Sequence, residues 1–304
     1  MRSQIYLDNS ATTAIREEAL EAMVCTYRDC FGNSSSVHAF GQTARKALED
    51  ARKEFASCMG AKAEEIVFTS GGTESDHLAI RGAAMAHRAM GNHIITCATE
   101  HHAVLYTCQA LERDGFRVTY LPVDGGGTII LDRLREAIGG DTILVSIMLA
   151  NNETGALQPL GEISRIARER GIIVHSDAVQ AAGKMPLDVQ DIGADLLSFS
   201  GHKFYGPKGV GALYIRNGTA ILPQLQGGHH EGGMRPGTMN VPGIVGMSTA
   251  LRLAIGELEE MRSYLGKLRD RLAAGIMQRI EGVRRNGGSE NSLPNILNLS
   301  FEGA

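Results

Sequence analysis

Ser198–Gly209 reads SFSGHKFYGPKG, with Lys203 set between a Ser-Gly-His run and a Tyr-Gly-Pro turn, directly after an apolar segment. A lysine at a strand end is ordinarily a solvated charge. One flanked by glycines and hydroxyls in the middle of an α/β chain could instead be a desolvated amine, whose lowered pKa suits attack on a carbonyl. The neighbouring runs bear on the choice. EIVFTS, HIITCAT, RVTYLPV, TILVSIML, GIIVHSD, LLSFSG and GALYI alternate with longer amphipathic stretches, with helices starting near Glu74 and Ala103. That alternation predicts βαβ units and a mostly parallel sheet flanked by helices on both faces. ILVSIML and GIIVHS lack a two-residue alternation, as expected of strands covered on both sides.

With 304 residues, 43% of them hydrophobic, the chain can bury a substantial core. Its 30 basic and 34 acidic residues are interspersed, for a net charge of −4, and no run of Lys and Arg would track a phosphate backbone. Nucleic acid is therefore not an expected partner. No stretch approaches the roughly 18 to 20 consecutive apolar residues that cross a bilayer, and the start, MRSQIYLDNSATT, has no apolar signal segment. A cytoplasmic protein without a membrane partner is the expectation. Cys25, Cys30, Cys58, Cys97 and Cys108 form no CxxC pair and no zinc-like spacing with histidine, so no metal site is expected. A long helical stretch from about Pro242 to Ile280, with charges at helical spacing, looks like a crossover into a second domain, and PNILNLSFEGA after it reads as a strand.

Open parallel sheets bind ligands beyond the carboxyl ends of their strands, so the polar residues after each apolar run should converge. Gly71-Gly72-Thr73 opens a helix after EIVFTS and suits a phosphate, although Thr73 or Ser75 could equally be a plain helix cap. His101, in Glu100-His101-His102, could lie over an aromatic ligand or belong to a surface loop. Asn152, in NNETG, could read a ligand oxygen or serve the turn. Asp177 ends a buried run and needs a cationic partner, either as a helix cap or beneath a protonated ligand nitrogen. Lys203 could form an imine with an aldehyde. The set describes one ligand: an aldehyde for Lys203, a ring nitrogen for Asp177, a flat face for His101, a phenolic oxygen for Gln180 or Asn152, and a phosphate for Gly72, Thr73, Ser200 and His202. That ligand is pyridoxal 5′-phosphate.

YLDNSATT, GNSSSVHAFG, FTSGGTES, TEHHAV, NNETG, HSDAVQ, SFSGHKFYGPKGVG and GGHHEGGMRPGT occur in that order and closely resemble the cysteine desulfurases. These are class V aminotransferase-like enzymes of pyridoxal-phosphate fold type I, and the resemblance runs from about Tyr6 to the end. It implies a seven-stranded sheet in a large domain, 15–255, with a smaller and incomplete domain from 1–14 plus 256–304. It also implies Lys203 as the lysine joined to the cofactor, Asp177 at the ring nitrogen, Gln180 and Asn152 near the ring hydroxyl, and His101 stacked on the ring. Gly72, Thr73, Ser200 and His202 fall at the phosphate, and Thr238 reaches the phosphate of a neighbouring subunit, so a homodimer with shared sites is implied.

The implied reaction converts L-cysteine to L-alanine and passes sulfur to an enzyme cysteine as a persulfide, for iron–sulfur cluster or thio-cofactor biosynthesis. A sulfur-acceptor or iron–sulfur scaffold protein is the implied partner. In the family the nucleophilic cysteine and the substrate-carboxylate arginine lie beyond the strand corresponding to PNILNLSF, so the chain is expected to be truncated. None of the five cysteines sits in a Ser/Gly-rich loop. The alternatives are another class V enzyme, either a selenocysteine lyase or an aminotransferase, and a cofactor-binding scaffold without activity.

Overall fold

The seven apolar runs become the seven strands of one sheet. The structure, a computed structural model, describes residues 4–288 and 291–303. In chain order its elements are α1 (Glu17–Asp29), α2 (Ala39–Ser57), β1 (Ile66–Thr69), α3 (Gly72–Ala86), β2 (His93–Cys97), α4 (His102–Arg113) and β3 (Arg117–Leu121). Then come α5 (Leu131–Ala137), β4 (Thr142–Ser146), α6 (Leu160–Arg168), β5 (Ile173–Asp177), α7 (Val189–Ile192), β6 (Leu196–Ser200) and β7 (Gly211–Ile215). The chain continues through α8 (Val241–Gly256), α9 (Leu258–Met277), β8 (Val283–Asn286) and β9 (Asn298–Phe301).

The sheet order is β1-β7-β6-β5-β4-β2-β3. All pairings are parallel except that β7 runs antiparallel to both β6 and β1. Two reversals cancel, so β1 points the same way as β2 to β6. The carboxyl ends of β1, β2, β4, β5 and β6 therefore lie along one edge, where the polar residues of the sequence motifs gather. Every residue of β1, β2, β4 and β6 is buried, which explains the unbroken apolar runs. Phe55 of α2 meets Phe68 of β1 and Phe199 of β6 edge-on, with ring centroids 6.1 and 5.7 Å apart, and so pins one helix layer to two strands.

The expected long helix is two. α8 and α9 are bent by 73° at Glu257, where Arg16 donates to both carboxylate oxygens at 2.8 and 2.6 Å. α8 is buried over much of its length against α1 and α2, whereas α9 carries the charges and exposes them. Among the described residues no single helix is long and apolar enough to cross a membrane. Among the described residues of PNILNLSFEGA, Asn298–Phe301 is strand, paired antiparallel with β8, while Leu293 and Ile296 are buried in the irregular segment before it.

The glycine-rich GGHHEGGMRPGT loop is tied down from within. Glu231 takes a positive φ of 51° that a non-glycine residue rarely adopts. Its carboxylate, 2% exposed, accepts from the Arg52 guanidinium and from the Phe68 amide at 2.7 Å. Arg52 also donates to the Ile66 carbonyl at 2.8 Å and lies 4.7 Å over the Phe68 ring. Removing one member of such a pair leaves a buried charge alone, so Arg52→Met should lower the unfolding free energy by about 3 to 5 kcal/mol. Arg52→Met with Glu231→Gln should lose less than the single change. Denaturant titration checks both, and a loss below about 1 kcal/mol for the single variant would show the pair to be a surface-like contact.

Candidate active site

β1 ends in Ser70-Gly71-Gly72, and α3 begins with no side chain capping its first amides. The turn must be glycine: a Cβ on Gly72 would lie 2.9 Å from the Val179 side chain, and one on Gly211 of β7 would lie 2.7 Å from the Gly71 backbone. Open amides at the start of a 15-residue helix, beside the buried hydroxyl of Ser200, form an anion cradle. Thr73 is exposed on the first turn. Glu74 closes the outer side of the turn, accepting from the Ser70 amide at 2.7 Å and from Arg235 at 2.9 Å. Burial opposes its charge, but those hydrogen bonds hold it below the usual carboxylate range.

Asp177 ends β5 and is 7% exposed. Its Oδ1 accepts from the Val179 amide at 2.9 Å, so it does cap the following turn. Burial pushes its pKa up, and the Val179 amide, His101 and Lys203 oppose that shift. His101 is the N-cap of α4, its Nδ1 accepting from the Ala103 amide at 3.1 Å, and its ring is exposed. One ring nitrogen lies within 4.8 Å of an Asp177 oxygen and of an Asp76 oxygen. This Asp76-His101-Asp177 trio has the spacing of metal ligands, and it is the same place at which the sequence puts a ring.

Lys203 follows β6 in a 3-10 turn, half-buried, and donates from Nζ to the Ser10 carbonyl. Burial lowers its pKa, opposed by Asp177, Asp8 and Glu153. Gln180, buried at 4% exposure, donates to the same Ser10 carbonyl at 2.8 Å. His202 bonds through Nδ1 to the Thr12 hydroxyl at 3.1 Å, and burial with nearby lysines pushes it down to about 4. The structure thus brings Gly72, Ser200, His202, Lys203, Asp177, Gln180 and His101 to one strand edge. Asn152 does not join through its amide, which donates to Glu153 at 3.0 Å in the turn. Thr238 lies exposed on the strapped loop.

These residues fit pyridoxal phosphate by their chemistry: an anion cradle at one end, a buried carboxylate at the other, and a desolvated amine between. Three features escape a reading of strand ends. The N-terminal YLDNSATT segment enters through the Ser10 carbonyl as acceptor and through the Thr13 hydroxyl, which donates to the His202 carbonyl at 2.9 Å and accepts from the Tyr205 amide at 2.8 Å. Asp76 and Glu100 are buried carboxyls beside Asp177, hidden in the sequence as ordinary helix and loop acids. Lys184 is the third, donating to Gln180 Oε1 at 2.7 Å.

Among the cysteines, burial pushes Cys58 up to about 11 and Cys108 up to about 12 and also raises Cys97, so none of these three carries thiolate character. Burial, with Lys203 nearby, likewise pushes Lys184 down, to about 7 from its ordinary 10.5. The folded chain then favours the neutral amine while the unfolded chain still binds the proton, so stability gained from this site rises with pH between those values. Lys184→Met should flatten that rise, on the order of a few kcal/mol. Parallel stability profiles for the two proteins between pH 7 and 10 would rule the effect out.

The aminotransferase class-V family model matches residues 5–304. The cysteine desulfurase IscS of Dictyoglomus turgidum is 52% identical over 301 residues, 99% of this chain and 76% of that protein. The cysteine desulfurase IscS of Methanosarcina thermophila is 54% identical over 298 residues, 98% of this chain and 74% of its own length. The chain thus spans about three quarters of these relatives. A NifS-like protein superposes with a TM-score of 0.96 at 43% identity, covering 98% of this chain and 82% of that one. SspA in complex with cysteine gives 0.89 at 38% identity, covering 98% and 84%. These likenesses do not favour the lyase, aminotransferase or inactive-scaffold alternatives. An anion cradle, a buried acid and a desolvated lysine at one edge of a fold type I sheet, in a chain half-identical to IscS proteins, place it in the class V aminotransferase family as a pyridoxal-phosphate-dependent cysteine desulfurase.

Proposed function

We propose that Lys203 is the lysine that takes the cofactor's aldehyde, with Asp177 at the ring nitrogen, and that L-cysteine leaves this site as L-alanine. The observation that carries the assignment is the neighbourhood of Lys203: a half-buried amine of lowered pKa under the direct influence of the Asp177 carboxylate. When bound, the cofactor supplies an aldehyde for the substrate amine and a pyridine ring that draws electrons from it. Asp177 holds a proton at the ring nitrogen. Lys203 Nζ, once freed, is the nearby base that moves a proton to and from the substrate carbon. His101, with Nδ1 committed to the Ala103 amide, carries its own proton on Nε2 when neutral and presents the ring as a lid.

Gly72 and Thr73 at the α3 start, with Ser200 and His202, hold the phosphate. Gln180, fixed by Lys184, serves the ring oxygen, while the Asn152 amide is turned to Glu153. The division into 15–255 and 1–14 plus 256–304 remains our reading of the domains. A homodimer with shared sites is supported by the exposure of Thr238 on a loop strapped through Glu231 and Arg235 to the elements around the cradle. Delivery of sulfur through an enzyme persulfide to an iron–sulfur scaffold or other acceptor is supported by the IscS name of the relatives. Five free cysteines suit the cytoplasm.

Incubation with L-cysteine and a thiol reductant should yield alanine and sulfide in equal amounts, and alanine without a sulfur product would refute the desulfurase reading. Lys203→Ala should lose the cofactor's visible absorbance and the borohydride-trapped adduct. An adduct mapped to Lys184 or Lys208 would overturn the assignment. Asp177→Ala should retain the fold and lose nearly all turnover, a result that preserved turnover would contradict.

A further inference from the structure

Behind Asp177 lies a second carboxyl that none of these steps uses. Asp76, on the second turn of α3, is 1% exposed, and its Oδ1 has no hydrogen-bond partner. That oxygen sits 3.6 Å from His175 Nε2, and carboxyl oxygens of Asp76 and Asp177 lie within 4.8 Å of each other. Two carboxylates this close in a buried site repel strongly enough that both do not ionise together.

The surroundings decide which one keeps the proton. Lys203 from the 3-10 turn and His101 from α4 both act to favour charge on Asp177. From β5, Asp76 faces His175, which burial pushes down to about 3 and so leaves neutral, its Nδ1 bonded to the Ser146 hydroxyl at 2.8 Å and its Nε2 to the Ser198 hydroxyl at 3.0 Å. From β6 it faces the neutral Ser198 hydroxyl. From the loop after β2 it faces Glu100, a further buried carboxyl whose Oε1 accepts from the Met148 amide at 2.7 Å and whose Oε2 has no partner. From α4, a His101 ring nitrogen lies within 4.8 Å of both carboxyls, but it favours charge on Asp177, and among the described residues no lysine or arginine acts on Asp76.

We propose that Asp76 and Asp177 hold one proton between them, carried on Asp76, so that the floor of the site presents a single negative charge to the ring-nitrogen position. Asp76 is then a positioning residue: as a neutral acid it lines the buried side of Asp177 without competing for the ring's proton. The inference deepens the assignment of Asp177 and rests on it.

Infrared spectra of the holoprotein in D2O, with and without 13C-labelled aspartate, test this at neutral pH. Wild type should show one carboxylic-acid carbonyl band that moves with the aspartate label, which separates it from Glu100. The band should be lost in Asp76→Asn and in Asp76→Ser and retained in Asp177→Asn. Asp76→Asn should also keep the wild-type cofactor absorbance, and it should remove a loss of stability that wild type shows as pH rises above about 4, because a raised folded-state pKa stabilises only below it. Absence of the labelled band from wild type, its survival in both Asp76 variants, or its loss in Asp177→Asn would overturn the proposal. Should the cofactor not join Lys203, the borohydride adduct would be missing or would map to another lysine while the carboxyl band persisted, so the two failures are told apart.

Discussion

Desolvation of charge at the carboxyl edge of the sheet is the constraint on which this site depends. Asp177, Asp76, Glu100, Lys184 and, in part, Lys203 are withdrawn from water, and each would be expensive to bury alone. The sheet makes the burial tolerable by arranging opposite charges and neutral acids in sequence from floor to mouth. Asp177 finds Lys203 and His101 on its open side, and the less favoured Asp76 and Glu100 lie on its closed side. The same withdrawal that raises the acids lowers the amines, so one environment prepares a proton holder and a nucleophile together.

The sheet was largely legible in the sequence because most of its strands are buried on both faces. Runs such as ILVSIML carry a single small polar residue, Ser146, and all seven became strands of one sheet. The strand order and the antiparallel β7 were not legible, since GALYI carries no mark of direction. The break between α8 and α9 was missed for a related reason. A lone Gly256 is a weak stop signal, and the Arg16–Glu257 pair found at the break joins residues some 240 positions apart. β8 was also missed, because VRRN is a polar edge strand held by a single neighbour.

The site was legible where chemistry belongs to side chains and opaque where it belongs to backbone. Lys203, Asp177, Gln180 and Ser200 could be named because strand ends converge. Ser10 could not, because its contribution is a carbonyl oxygen, which every residue has. Asp76 was concealed by its place on a helix whose first turn already accounted for its neighbours. Asn152 shows the reverse limit: its amide answers the turn, while Asn151 beside it does the structural work, accepting from the Glu153 and Thr154 amides, both at 2.9 Å.

Two lysines compete for the role of nucleophile, and pKa alone would choose the wrong one. Lys184 is pushed to about 7, so a large share of it is neutral near that pH. Yet its amine is bound to Gln180 Oε1 and lies against an apolar cavity of about 700 Å³ formed with α9 and the N-terminal segment. Its charge acts on His202 and Lys203 rather than on the Asp177 carboxylate. Lys203 is less shifted because Asp177, Asp8 and Glu153 oppose the effect of burial, and its coupling to Asp177 is what favours it in the proposed assignment. On the proposed assignment, position beside Asp177 selects the amine and desolvation lowers its pKa. Lys184 acts one step removed, orienting Gln180 toward the Ser10 carbonyl that Lys203 also binds.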